Sequence, residues 1–202
     1  MRVLNLYAGI GGNRKLWQNV EVTAIENNKE IAKIYKKLFP NDEVIIADAH
    51  SYLLKHLNDG WDFIWSSPPC QTHSRLNFSG VLKAKYSDMK LYQEIILLRN
   101  NWYKGNWIIE NVIPFYRPLI IPKVEIGRHY FWSNSSIDKA YFNNEISLEK
   151  TSSNSDRYGF NLREYKLKNK QQILRNLVNP QIGLYLFNQV NKINNYKQFT
   201  LL

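Results

Sequence analysis

Apolar residues in the first half of the chain alternate between short continuous runs and helical spacings. The runs RVLNLY (2–7), VTAIE (22–26), EVIIAD (43–48), DFIWS (62–66) and NWIIEN (106–111) each read as a buried strand. Between them, Ile31, Ile34, Tyr35 and Leu38 fall on one face of a helix over 27–38, which Pro40 and Asn41 stop. HSYLLKHL (50–57) is a short amphipathic helix closed by Asn58, Asp59 and Gly60. Residues 87–103 predict a third helix, capped by Ser87 or Asp88, with Tyr92, Ile95, Ile96 and Arg99 along it. Strands alternating with helices predict an α/β fold, a doubly wound and mostly parallel sheet covered on both faces, with right-handed crossovers.

The pattern then changes. Residues 114–122 are proline-rich and extended, and GRHYFWSN (127–134) reads as a further strand. Residues 134–172 are polar, rich in Asn, Ser and Lys, and nearly aperiodic, which fits a small irregular module or a mobile insertion. A final helix begins near Pro180, a good first-turn residue. These shifts divide the chain into 1–132, 133–172 and 173–202.

Composition narrows the class. With 202 residues the chain can bury one good core. No stretch approaches the ~18 apolar residues of a membrane span, and the N-terminus lacks a signal-peptide pattern. One cysteine excludes an internal disulfide and a cysteine-rich metal site, and fits a reducing, intracellular setting. A net charge of +10 favours a polyanionic partner, although charge also serves solubility.

Candidate chemistry gathers at strand ends. Glu26, Asp48, Cys70 and Glu110 follow or close the second to fifth strands, and Gly9, Gly11 and Gly12 follow the first. Open α/β sheets bind ligands outside the carboxyl ends of their strands. A dinucleotide fingerprint would require glycine where Arg14 stands, so a nicotinamide cofactor is disfavoured. Glu26 stands where an acid would grip a ribose diol, and Asp48 could hold an adenine amino group. Together they fit a nucleoside cofactor without a pyrophosphate. His50, His56, His73 and His129 lack metal-ligand spacing, and no metal is expected. His73, three residues after Cys70, is either a plain loop histidine or a base for the thiol.

The ordered segments YAGIGGNR, AIEN, ADAHSYL, SSPPCQTHS, IIENV, GRHYFWSN and RNLVNPQIG resemble the cytosine-C5 DNA methyltransferase family, in the family's linear order. IGRHYFWSN and RNLVNP are similar to compact members of bacteriophage type. The resemblance implies S-adenosylmethionine as cofactor. Tyr7, Gly9, Gly11 and Gly12 would form the methionine-side loop, Glu26 with Asn27 would hold the ribose, and Asp48 with Ala49 would meet the adenine. Pro69 and Cys70 would form the catalytic corner, Glu110 would hold the target base, and Arg128 would be an active-site arginine. Asn176, Val178 and Pro180 resemble the last motif, whose helix returns beside the first strand; Asn176 would reach the cofactor. The Cys70 thiolate would add to carbon 6 of a flipped-out cytosine and activate carbon 5 for methylation.

Residues 71–87 would form a mobile loop over the flipped base, with Gln71, Ser74, Arg75, Asn77, Ser79 and Gly80; an ordinary surface loop is the plainer reading. The chain departs from the family pattern in three places, the first being His73, where the family often has an aromatic residue. Ile126 stands where a second arginine is usual, and the region available for target recognition, 133–172, is short. That region carries Lys139, Lys150, Arg157, Arg163, Lys166, Lys168 and Lys170, interleaved with Tyr141, Tyr158, Phe160 and Tyr165. Arg157 and Arg163 are expected nucleic-acid contacts, unless this is simply a solvated face. The expected partner is double-stranded DNA in a bacterial or phage-infected cytoplasm, with a partner chain able to compensate for the short recognition region. A tRNA substrate and a non-catalytic binding subunit are the alternatives.

Overall fold

The computed structural model describes residues 1–78, 85–100, 102–142 and 156–193. Lys150 and the loop residues Ser79 and Gly80 lie outside them. Seven strands form one sheet in the order β3-β2-β1-β4-β5-β7-β6. β1 (Arg2–Leu6), β2 (Glu21–Ile25), β3 (Glu43–Ile45), β4 (Phe63–Ser66) and β5 (Asn106–Val112) run parallel. β7 (His129–Ser133) and β6 (Val124–Ile126) complete the sheet antiparallel. The order reverses between β1 and β4, where Leu6 pairs with Ser66. A crevice therefore opens at the carboxyl ends of those two strands.

Strand alternation sends successive side chains to opposite faces, and each face has its own helical cover. Leu4, Leu6, Ile64 and Ile109 pack under α2 (Ala49–His56) and α3 (Lys90–Arg99) through Leu53, Leu91, Ile95 and Leu98. Val3, Phe63, Trp65 and Ile108 pack under α5 (Pro180–Asn191) through Ile182, Leu186, Phe187 and Val190. α1 (Lys29–Leu38) lies over Ala8 and Ala24 through Tyr35. The sheet is doubly wound, as the alternation predicted. The helices differ in detail from the sequence pattern. α1 buries Ala32, Ile34 and Tyr35 but leaves Leu38 exposed. α3 begins at Lys90, whose amide donates to the Asp88 carboxylate at 3.0 Å, as the Asp88 cap predicted; it buries Glu94 and leaves Ile96 exposed.

Local chemistry fixes the element ends. Asn28 caps α1 by accepting from the Glu30 and Ile31 amides, and Asp48 caps α2 by accepting from Ser51; each cap contributes about 1 kcal/mol. Arg14, in the place of a third loop glycine, clamps the buried Asp42 in a bidentate pair at 2.9 Å and also donates to the Trp17 carbonyl. The last helix sits flush on the first loop. A Cβ on Gly12 would lie 2.6 Å from the Val178 carbonyl oxygen, and one on Gly183 would lie 2.5 Å from that of Asn13. Trp17 Nε1 donates to the Gly183 carbonyl across the same seam.

The aperiodic stretch holds more structure than its sequence pattern predicts. β8 (Asp156–Arg157) and β9 (Phe160–Asn161) form a hairpin, followed by α4 (Lys170–Arg175). Phe160, Leu162, Leu174 and Leu177 pack against Ile10 and Ile34, which anchors this unit beside the first loop. β6, α4 and the hairpin are too short for periodicity to register. Among the described residues no helix is long and apolar enough to cross a membrane.

Candidate active site

The crevice is built from backbone turns that end the central strands. After β1, Tyr7, Gly9 and Gly11 take left-handed conformations, with φ of +55°, +56° and +83°. For glycine this costs little. Nothing lies within 4 Å of where a Cβ on Gly9 would stand, so the backbone there is open to a ligand. Beneath it, Glu26 follows β2 with one carboxylate oxygen accepting from Gly9 N at 3.0 Å and the other from Asn28 N at 2.9 Å. Each oxygen keeps a lone pair for a further donor. Asn27 and Asp48 are exposed nearby in sequence, and Ala49 is buried. The Asp48 carboxyl is held below its ordinary range, chiefly by the Ser51 amide it caps. An open glycine cradle with acids after the next two strands fits a ribose diol and an adenine edge.

The thiol side begins where β4 meets Pro68 and Pro69. Pro68 is buried and Pro69 is exposed. Asn111 Nδ2 donates to the Pro68 carbonyl at 2.9 Å, tying the corner to β5. Beyond it the His73 and Ser74 amides both donate to the Cys70 carbonyl, at 3.0 and 2.9 Å. Cys70 is thus displayed on a corner fixed from both sides. Burial pushes its thiol up to about 11, the Glu110 charge adds to this, and Arg128 opposes it.

Glu110 is buried on β5 opposite Phe131 and diagonal to His129. Its Oε1 lies 3.4 Å from His129 Nε2. Burial raises this carboxyl to about 7, against hydrogen bonding from Ser67 and the Arg128 charge. His129 is driven down to about 3 by burial, then by Arg128 and Arg157, so it faces Glu110 as a neutral imidazole. A neutral thiol beside an acid poised near neutrality can hold or donate a proton as a ligand requires.

Several expected residues stand elsewhere than their sequence roles imply. Arg157, expected on the nucleic-acid surface, is instead buried. Its guanidinium donates to the Leu174 carbonyl at 3.2 Å and to Tyr158 Oη at 3.1 Å. Arg128 donates to the next carbonyl, that of Arg175, at 3.0 Å. Two arginines therefore converge on the end of α4, one from β8 and one just before β7. Tyr7 turns its hydroxyl inward to Glu94. His73 is buried with Nδ1 against the Tyr116 hydroxyl. Its amide and carbonyl bond Cys70 and Phe115, so it anchors the loop, and neither ring nitrogen hydrogen-bonds the thiol. Asn77 is likewise internal, closing the loop by bonding both the N–H and the C=O of Lys85. Gln71, Arg75, Arg163 and Asn176 are exposed, and Ser74 is half-buried. Asn111, Glu94 and His129 escaped the sequence reading. Only the strand register, which brings 110 and 129 to one face, could have flagged the last.

Residues 1–113 match the family model described as C-5 cytosine-specific DNA methylase. A Homo sapiens tRNA (cytosine(38)-C(5))-methyltransferase is 28% identical over 135 residues, covering 62% of this chain and 34% of that protein. The Mus musculus protein of the same name is 29% identical over 135 residues, covering 62% and 32%. The chain thus spans about a third of the length of these curated relatives. Among solved structures, the S. pombe Dnmt2 methyltransferase is 19% identical with a TM-score of 0.46, covering 75% of this chain and 53% of that one. A Spodoptera frugiperda DNMT2 variant is 20% identical with a TM-score of 0.45, covering 79% and 61%.

Proposed function

The chain belongs to the C-5 cytosine-specific DNA methylase family, and from that premise we propose that it methylates carbon 5 of a flipped-out cytosine in DNA through a covalent bond from Cys70. The observation that carries this reading is the meeting of a rigidly displayed thiol with a buried acid near neutrality at the strand-order reversal. The cofactor is S-adenosylmethionine, which supplies an electrophilic methyl group when bound. Glu26 would hold its ribose and Asp48 its adenine, with the open backbone at Gly9 facing its methionine end.

Each residue then has a task. Glu110 holds N3 and the 4-amino group of the base, and its raised affinity for a proton lets it donate to N3 as sulfur adds to carbon 6. His129, kept neutral, can donate to the Glu110 carboxylate without competing for that proton. Arg128 stabilises both the thiolate and the carboxylate. A thiol near 11 is almost wholly protonated in the free protein. Attack thus requires the thiol to pass its proton to a base, the ionised Glu110 carboxylate or water, as the cytosine enters. After methyl transfer the C5 proton is lost, the C6–sulfur bond breaks, and Cys70 is restored. The net charge of +10 suits a phosphate backbone.

A tRNA substrate is the second reading, favoured by the curated relatives being tRNA (cytosine(38)-C(5))-methyltransferases. Transfer of labelled methyl to duplex DNA and to tRNA, with Cys70→Ala in parallel, separates the two. Label on DNA that vanishes in the variant supports the proposal. Label confined to tRNA transfers the assignment to RNA, and label surviving in Cys70→Ala removes the covalent route.

A further inference from the structure

Glu94 is a carboxylate placed where an apolar side chain would be expected. It lies on α3 among Leu91, Tyr92, Ile95 and Leu98, facing the sheet, and is 0% exposed. Taking a carboxylate out of water costs several kcal/mol unless donors replace the solvent. Here three do. Tyr7 Oη donates to Oε1 at 2.7 Å, His50 Nδ1 lies 3.0 Å from the same oxygen, and Ser66 Oγ donates to Oε2 at 2.6 Å.

The partners come from three separate chain segments. Tyr7 opens the left-handed loop after β1, shortly before the Gly9–Gly12 cradle. His50 is the second residue of α2, two after Asp48. Ser66 ends β4, directly before the corner that displays Cys70. Charge-assisted hydrogen bonds of this kind are shorter and more directional than packing contacts. A leucine at 94 would fill the space but could not fix where three segments stand relative to one another. The groups around His50 agree with this arrangement. Bonding to Glu94 leads the causes that raise His50, with Asp48 adding and burial and Lys90 opposing. Burial and Glu94 together push the Tyr7 hydroxyl far above its ordinary range, so it remains a donor.

We infer that Glu94 is the positioning residue of the cofactor site: through Tyr7, His50 and Ser66 it holds the β1 loop, the Asp48 turn and the catalytic corner in one geometry, and so sets cofactor affinity without touching the cofactor. This rests on the assignment of S-adenosylmethionine to the crevice. A loop, turn and corner no longer held to one carboxylate grip the cofactor less well, and a tenfold loss of affinity corresponds to about 1.4 kcal/mol. Loss of the charge in Glu94→Gln should therefore weaken binding about tenfold.

The test is calorimetric titration of the protein with S-adenosylhomocysteine, which reads binding without turnover. Glu94→Gln is nearly isosteric; Tyr7→Phe and Ser66→Ala each remove one donor and test the same network should Glu94→Gln fail to fold. The expected result is weaker binding in all three, each still melting cooperatively without ligand but at a lower temperature than the wild type, because a donor or the charge of a buried pair is lost. Tyr7→Phe and Ser66→Ala should also be non-additive in each other's presence, because they share one carboxylate. Binding within twofold of wild type in the folded variants overturns the inference while leaving the cofactor assignment intact. A wild-type protein that does not bind the ligand at all overturns both. Additive losses from Tyr7 and Ser66 would show independent local contacts and refute the common hub.

Discussion

Replacing Glu110 by glutamine should make the protein more stable and inactive at once. The carboxyl rises from an ordinary 4.5 to about 7 in the fold because burial penalises its charge. At about 1.4 kcal/mol per pH unit, ionising it in place costs about 3 kcal/mol. The sign follows from proton binding. Between pH 4.5 and 7 the folded state holds this proton more tightly than the unfolded state, so the group's contribution to stability falls as pH rises through that window. Above it, the full penalty remains. The amide introduced by Glu110→Gln cannot ionise and escapes the penalty. Glu110→Gln should exceed wild type by about 1 kcal/mol at pH 5 and by about 3 kcal/mol at pH 8. His129, held down to about 3, stays neutral in both proteins across this range and does not disturb the comparison. Urea denaturation of both proteins at the two pH values measures the gap, and methyl transfer at pH 8 should be lost. A gap that does not widen with pH, or a variant less stable at pH 8, would refute the account of Glu110 as a carboxylate strained by burial for its chemistry.

Three further outcomes follow from the same site. Alkylation of Cys70 by iodoacetamide in the free protein should rise with pH towards a midpoint near 11, and that midpoint should fall in Glu110→Gln; a free-protein midpoint below 9 contradicts the burial argument. Asn111→Ala leaves the Pro68 carbonyl without its donor and should cost about 1–3 kcal/mol. It should also reduce turnover at saturating substrates at least tenfold, and unchanged turnover would show that the corner holds itself. Gly12→Ala drives a Cβ against the Val178 carbonyl, and overpacking of this kind costs about 1–3 kcal/mol. Thermal melting should fall accordingly, and an unchanged melting point would mean that the loop and α5 are not in fixed contact.

The elements legible in the sequence were those whose burial follows the period of the backbone. β1, β2, β4 and β5 are covered on both faces, so their apolar runs are continuous. The glycine cradle and the acids at strand ends stood out because sheet topology, not tertiary detail, places them at one edge. Legibility failed where a polar group occupies an apolar position. Glu94 sits within the buried stripe of α3, and a reading that sorts residues by hydropathy shifted that stripe towards Ile96 and Arg99, which lie outside it. Arg157 looked like a phosphate contact for the same reason: nothing local to a polar stretch reveals the carbonyl and hydroxyl partners that bury it. His73, three residues after Cys70, is more simply a loop histidine than a base for the thiol, and the tight turn after the corner does send its ring to Tyr116.

The seam between Gly12 and α5 bears on how the protein is made. A ribosome that has released the chain through β5 has already produced Cys70, Glu110 and every strand they stand on. The first loop still lacks the surface that Val178 and Gly183 press against it. The cradle's final shape must wait until α5 has been synthesised and has docked, joining Trp17 to Gly183 across most of the described chain. Contacts of that separation form late and slowly. A nascent chain should therefore bind its cofactor only once α5 has left the ribosome, when the thiol corner can no longer be left open beside a half-built loop.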